Sequence, residues 1–164
     1  MDQFMKLTKA QATLYESVVE TIMGEIETAK LDGTPAQGLI FKLLGARKQI
    51  CSHPACYDEG GEDEGAELSG KVQRLLQLLP PILDAGEKVL IFTQYMTMAW
   101  MLQRVLSLEL LQRPLVYEGS MNQAARELTC RRLDRDENSQ NMILSLKGGG
   151  RGAEPDSGEP RQTL

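Results

Sequence analysis

Three apolar runs punctuate the second half of the chain: KVLIFT at residues 88–93, PLVYE at 114–118 and NMILSL at 141–146. The first and last are nearly continuous in apolar residues, the pattern of a parallel strand buried on both faces. Helical stretches separate them, so residues 87–152 read as strand, helix, strand, helix, strand and then a glycine loop; this alternation predicts βαβ units. Within the helix expected over 95–110, Met96, Met98, Trp100 and Met101 read as core packing against the sheet, because methionine fills irregular gaps. In the first half, Leu14, Val18, Val19, Ile22 and Ile26 recur at helical spacing. They predict a helix over 8–31 with Thr8 as N-cap, ended by Asp32-Gly33-Thr34-Pro35. A second helix is predicted over 36–51, with Leu39, Leu43 and Leu44 on its buried side. Ser69 caps a third over 70–83, which Pro80-Pro81 is expected to kink or end.

Composition narrows the class. At 164 residues, 41% hydrophobic and 25% charged, the chain is long enough for one domain with a sizeable core. No apolar run approaches the ~20 residues that span a bilayer, and the N-terminus carries no signal-like region, so a cytoplasmic protein without a membrane partner is expected. The net charge of −5 disfavours tight nucleic-acid binding by this chain alone, since such binding draws on cationic neutralisation of phosphates. Residues 58–67 are almost devoid of apolar side chains and rich in acid, the composition of a mobile, solvated linker. Three cysteines make no disulfide framework. Cys51, His53 and Cys56 lie close together, but structural zinc takes four ligands and the remaining thiol, Cys130, is far along the chain. Pro54 disfavours helical geometry at His53, so the imidazole is expected to pack and cap at a helix end.

The candidate chemistry lies after the third strand, in SLKGGGRG at 145–152, because open α/β sheets bind ligands at the carboxyl ends of their strands. A glycine-rich turn brings backbone N–H groups close to phosphate oxygens, and Lys147 adds charge. By itself the motif is weak. The sequence holds no G-x-x-x-x-G-K-[ST] phosphate loop and no acidic metal-binding motif of the kind that marks a primary ATP site.

Five segments appear in a telling order: LTKAQATLY at 7–15, KQICSHP at 48–54, SGK at 69–71, KVLIFTQY at 88–95 and SLKGGGRG at 145–152. In order and spacing they resemble the Swi/Snf-type DNA-dependent ATPases, helicase-like motors of helicase superfamily two, and specifically their C-terminal RecA-like lobe. The resemblance implies a partial RecA-like (P-loop NTPase-type) parallel sheet with helices on both faces, preceded by an α-helical hairpin insertion. It implies a motor in which ATP and Mg2+ sit between two lobes and hydrolysis steps the protein along double-stranded DNA. By resemblance, Thr93, Gln94, Gly119, Ser120, Ser145 and Lys147 face the DNA backbone, and Gly149, Gly150 and Gly152 face the ATP cleft. Hydroxyls, an amide and a lysine suit phosphate contacts; a competing reading has Thr93 and Ser145 satisfying strand ends. No residue is assigned as catalytic. The N-terminal ATPase lobe is missing as a partner, so this chain alone is expected to be inactive and to take no cofactor.

The chain departs from the family pattern at Leu133, where an aromatic residue is usual, and at Gly148, where alanine is usual. After Gly152 the family continues with Leu-Asn-Leu, a further strand and an arginine-bearing motif, whereas residues 153–164 are polar and proline-rich. With suitable codons for residues 147–164, removal of one guanine after the lysine codon reads Lys-Ala-Gly-Gly-Val-Ala-Leu-Asn-Leu-Thr-Arg-Ala-Asn-His-Val-Arg-His. That restores both the alanine and the Leu-Asn-Leu stretch, so a truncated, frame-shifted lobe is expected. The domain reading is a helical insertion at 1–57, an acidic linker at 58–68, a partial helicase C-terminal lobe at 69–152 and a disordered tail at 153–164. Two rivals stand beside it: a non-catalytic partner-binding module built on the hairpin, and an unrelated small nucleotide-binding domain using KGGGRG as its cradle.

Overall fold

The computed structural model describes residues 4–58, 65–111, 113–136 and 139–145. The glycine loop beyond Ser145, the acidic residues 59–64 and the tail 153–164 lie outside these, and with them Lys147, Gly149, Gly150 and Gly152.

Two helices open the chain. The first, α1 (Lys9–Leu31), begins in a capping box: the Thr8 hydroxyl accepts from the Gln11 N–H, and the Gln11 side chain accepts from the Thr8 N–H, both at 3.2 Å. It ends as Asp32-Gly33 suggested. Gly33 sits at φ +71°, its N–H bonding to Lys30 while Thr34 N–H reaches back to Ala29, a pairing that satisfies the last carbonyls. Antiparallel to it runs α2 (Gln37–Ser52), and Val18, Ile22 and Ile26 bury against Ala46 and Ile50. Leu39 and Leu43 are partly buried on this core, as expected. Leu44 is not: it is 47% exposed, because the buried stripe of α2 turns through Leu39, Leu43, Ala46 and Ile50 and leaves Leu44 on the flank.

The α/β half begins with α3 (Gly70–Asp84), capped by the Ser69 hydroxyl. Pro80 and Pro81 lie inside this helix rather than ending it. They remove two backbone donors near its end, but Leu79 and Leu83 on either side are buried in the core, and their packing carries the helix one turn further. Gly86 at φ +74° then closes it, its N–H on Leu83 and that of Glu87 on Ile82.

The rest alternates: β1 (Val89–Thr93), α4 (Met96–Glu109), β2 (Leu115–Tyr117), α5 (Gln123–Arg135) and β3 (Asn141–Ser145). All three strands are parallel, in the order β1-β3-β2. The connection through α4 moves two places along the sheet and that through α5 moves one place back. Right-handed crossovers in opposite directions put α4 and α5 on opposite faces. On the α4 face, Val89, Ile91, Val116 and Ile143 join Leu79, Leu83, Met101, Leu102 and Leu106 in one core.

The expectation of strands buried on both faces holds for β3, the central strand, and fails for β1. Leu90 is 48% and Phe92 62% exposed, because β1 is a sheet edge among the described residues and its outer face is left largely uncovered. Trp100, expected in the core with its methionine neighbours, is half exposed on α4, while Met98 and Met101 are buried.

Candidate nucleic-acid and nucleotide interface

The pairing of β1 with β3 sets Thr93 directly beside Ser145, so the two strands end level at the carboxyl edge of the sheet. Gln94 follows Thr93 and is exposed; Gly119 and Ser120, after β2, form an exposed turn at the same edge. The described residues expected to face DNA therefore share one edge.

Their side chains are not equally available. The Thr93 hydroxyl accepts from the Tyr95 N–H at 3.4 Å and donates to the Tyr95 carbonyl at 3.5 Å, so it is used in turning the chain into α4. Ser145 is buried. The Gly119 carbonyl accepts from Arg126 Nη2 at 2.6 Å, and that guanidinium lies 5.8 Å over the Tyr117 ring, so α5 holds the turn after β2 in place. Gln94 and Ser120 present exposed polar groups.

Beneath this edge, Tyr95 packs against the core, and burial raises its phenol above the ordinary value, with Cys56 adding to the rise. Cys56 is buried with its sulfur 3.8 Å from that of Met98. His53 is fully buried: its Nδ1 accepts from the Ala55 N–H at 3.1 Å and its Nε2 meets the Gly65 carbonyl at 3.0 Å, which requires the Nε2–H tautomer. The imidazole is the cap of the single turn Pro54–Cys56, in keeping with the packing role read from Pro54.

Gln94 also lines a depression of about 590 Å³ between α2 and the start of α3, together with Arg47, Lys48 and Lys71. This cluster was not among the candidate residues of the sequence, where Lys48 and Lys71 enter only within the segments KQICSHP and SGK and Arg47 does not enter at all. The available signal was that α2 contains no acidic residue at all, in a chain with net charge −5.

No protein-family model matches the chain. The chain is 35% identical over 153 residues to YwqA of Bacillus subtilis, a protein named for ATP-dependent helicase/translocase activity; the match takes in 92% of this chain and 16% of YwqA. The chain therefore spans about one sixth of that relative's length. Among solved structures it superimposes on the C-terminal domain of the Sulfolobus solfataricus SWI2/SNF2 ATPase with a TM-score of 0.80 at 27% identity, covering 92% of this chain and 64% of that domain. On the core of the same ATPase in complex with double-stranded DNA the TM-score is 0.78 at 28% identity, covering 88% of this chain and 30% of the other.

Proposed function

The chain belongs with the Swi/Snf-type ATPases as a C-terminal RecA-like lobe, and we propose that it serves as the second lobe of an ATP-dependent DNA translocase. In this reading Gln94 and Ser120, with Thr93, Gly119 and Ser145 on the same edge, meet the backbone of double-stranded DNA, as does Lys147. Gly149, Gly150 and Gly152 face the ATP cleft shared with an N-terminal lobe. The observation that carries the reading is the common carboxyl edge of Thr93, Gln94, Gly119, Ser120 and Ser145, where exposed amide, hydroxyl and main-chain groups suit phosphate oxygens. Similarity to a SWI2/SNF2 core that was solved with double-stranded DNA supports it.

Among the described residues no group of three acidic, histidine or cysteine side chains could hold a metal ion, and Mg2+ at a nucleotide takes most of its ligands from phosphates and water. The proposal gives the nucleotide contacts to residues 149–152 and to the other lobe. The isolated chain is expected to show no ATP turnover with or without duplex DNA; turnover above a buffer blank in a preparation free of contaminating ATPase overturns the reading. For the DNA edge, Gln94→Ala combined with Ser120→Ala weakens duplex binding at low salt and leaves unfolding unchanged, because both residues are exposed. Unaltered binding removes these two from the interface. Residues 148–164 take their place in the same reading as the product of a shifted frame, and the nucleotide sequence around the codon for Lys147 tests that: codons that do not yield Leu-Asn-Leu on removal of one base reject it.

A further inference from the structure

The depression bounded by α2, the start of α3 and Gln94 gathers Arg47, Lys48 and Lys71, with no acidic side chain among the described residues that line it. Its cations come from two separate halves of the molecule, α2 in the hairpin and the first turn of α3 in the α/β half. Among the described residues none of the three is in an ion pair, in contrast to Lys42 on the same helix, which holds Glu25 at 2.8 Å. Arg47 is positioned by stacking, its guanidinium 5.3 Å from the centre of the Tyr15 ring. Grouped cations repel one another, and an acidic chain has many carboxylates with which to neutralise them; here they are left together and solvent-facing.

We propose that Arg47, Lys48 and Lys71 form a phosphate-binding subsite for a nucleic-acid backbone, continuous through Gln94 with the strand-end surface and extending it onto the helical hairpin. The inference rests on the reading of Gln94 as a backbone contact, because Gln94 is the residue common to both surfaces. The partner is a phosphodiester chain, recognised by charge and spacing and not by base. An open depression lined by flexible cations suits successive phosphates, which exchange condensed counterions for lysine and arginine on docking. In the sequence the acid is concentrated apart from these three cations, with six carboxylates in residues 58–67.

The test is titration of the full chain with a fluorescently labelled duplex DNA of mixed sequence, by anisotropy, over a series of salt concentrations. Lys48→Gln with Lys71→Gln is expected to weaken binding about tenfold or more and to lower the slope of log K against log salt by about 1.8, two contacts at roughly 0.9 each. Both lysines are exposed, so folding is undisturbed. An unchanged slope overturns the subsite, as does a lack of duplex binding by the unmodified chain at low salt. Gln94→Ala separates the two readings. If it is silent while the lysine pair matters, the phosphate subsite stands by itself and its continuity with the strand-end surface falls with that surface; if it weakens binding while the lysine pair is silent, the strand-end surface stands and the subsite falls. Displacement of the duplex by an equal concentration of tripolyphosphate would assign the cluster to nucleotide phosphates and reject a nucleic-acid backbone.

Discussion

The hairpin and the α/β half are each held together by apolar packing, and they are joined to each other by buried hydrogen bonds beside the apolar anchor of Cys56 against Met98. Inside each, the contacts are apolar: Val18, Ile22 and Ile26 against Ala46 and Ile50 in the hairpin, and Leu79, Met101, Leu102, Leu106 and Ile143 around the sheet. Between them lies a seam of buried polar groups. Gln11, 1% exposed, donates to the Ile50 carbonyl at 2.8 Å and accepts from the Gly70 N–H at 3.2 Å. Thr8 donates to the Leu68 carbonyl at 2.8 Å, Ser69 to the Ser52 carbonyl at 2.7 Å, and His53 meets Gly65. Hydrophobic burial is non-directional and tolerates sliding, whereas hydrogen bonds fix register. The seam sets how the hairpin sits on the sheet, and hence where Arg47 and Lys48 stand relative to Lys71 and Gln94.

Truncation in either core should have the largest effect. Leu106→Ala removes a fully buried side chain beside the sheet and is expected to cost about 2–5 kcal/mol, and Ile22→Ala a similar amount in the hairpin. Denaturant unfolding followed by two probes sharpens the contrast. If the seam couples the halves, each variant lowers a single common transition; if Ile22→Ala shifts an early transition that leaves the sheet intact, the halves unfold separately and the seam is weaker than its hydrogen bonds suggest.

Next come changes in the seam itself. Gln11→Ala strands the Ile50 carbonyl and the Gly70 N–H in a buried site, each loss worth about 1–3 kcal/mol. Gly70→Ala places a methyl group onto the carbonyl oxygen of Lys6, which as backbone cannot swing aside, and should be among the more damaging single changes. Calorimetry checks both; a Gln11→Ala protein as stable as the original would mean that water replaces the lost partners. Thr8→Ala removes the N-cap of α1 and the bond to Leu68 together, for about 0.5–2 kcal/mol.

Much of each half was legible in the sequence, and almost none of the seam. Helical spacing at Val18, Ile22 and Ile26, the run KVLIFT and the glycine at 33 act locally, so local rules find them. Gln11 looks like a polar residue on a polar face until Gly70, 59 positions away, is seen to need its oxygen. Three of the five segments that revealed the family, LTKAQATLY, KQICSHP and SGK, meet in this seam through Gln11, His53 and Ser69; in this fold they act as architecture. The candidate site was legible as an edge, since strand ends locate it. The engagement of the Thr93 hydroxyl with Tyr95 is the local strand-end contact that the competing reading of Thr93 allowed, whereas the meeting of Lys71 with Lys48 depends on how elements pack, which periodicity does not encode.

The smallest effect on stability is expected on the outer face of β1, and it isolates burial from strand propensity. Ile91 and Phe92 are neighbours in one strand, both good strand formers, yet Ile91 packs into the core while Phe92 is 62% exposed. Phe92→Gln should therefore change unfolding free energy by no more than about 0.5 kcal/mol, the range of ordinary surface substitutions, whereas Ile91→Ala costs several times as much. The same substitution should act on association. Leu90 and Phe92 form an apolar patch beside an edge of β1 that pairs with no strand among the described residues, and such an edge templates pairing with another chain. Light scattering at rising concentration is expected to show less self-association for Phe92→Gln than for the parent, at equal stability. A loss of stability near that of Ile91→Ala would mean that the face is covered in solution, and that the contrast between the two faces of β1 is not a property of the folded chain.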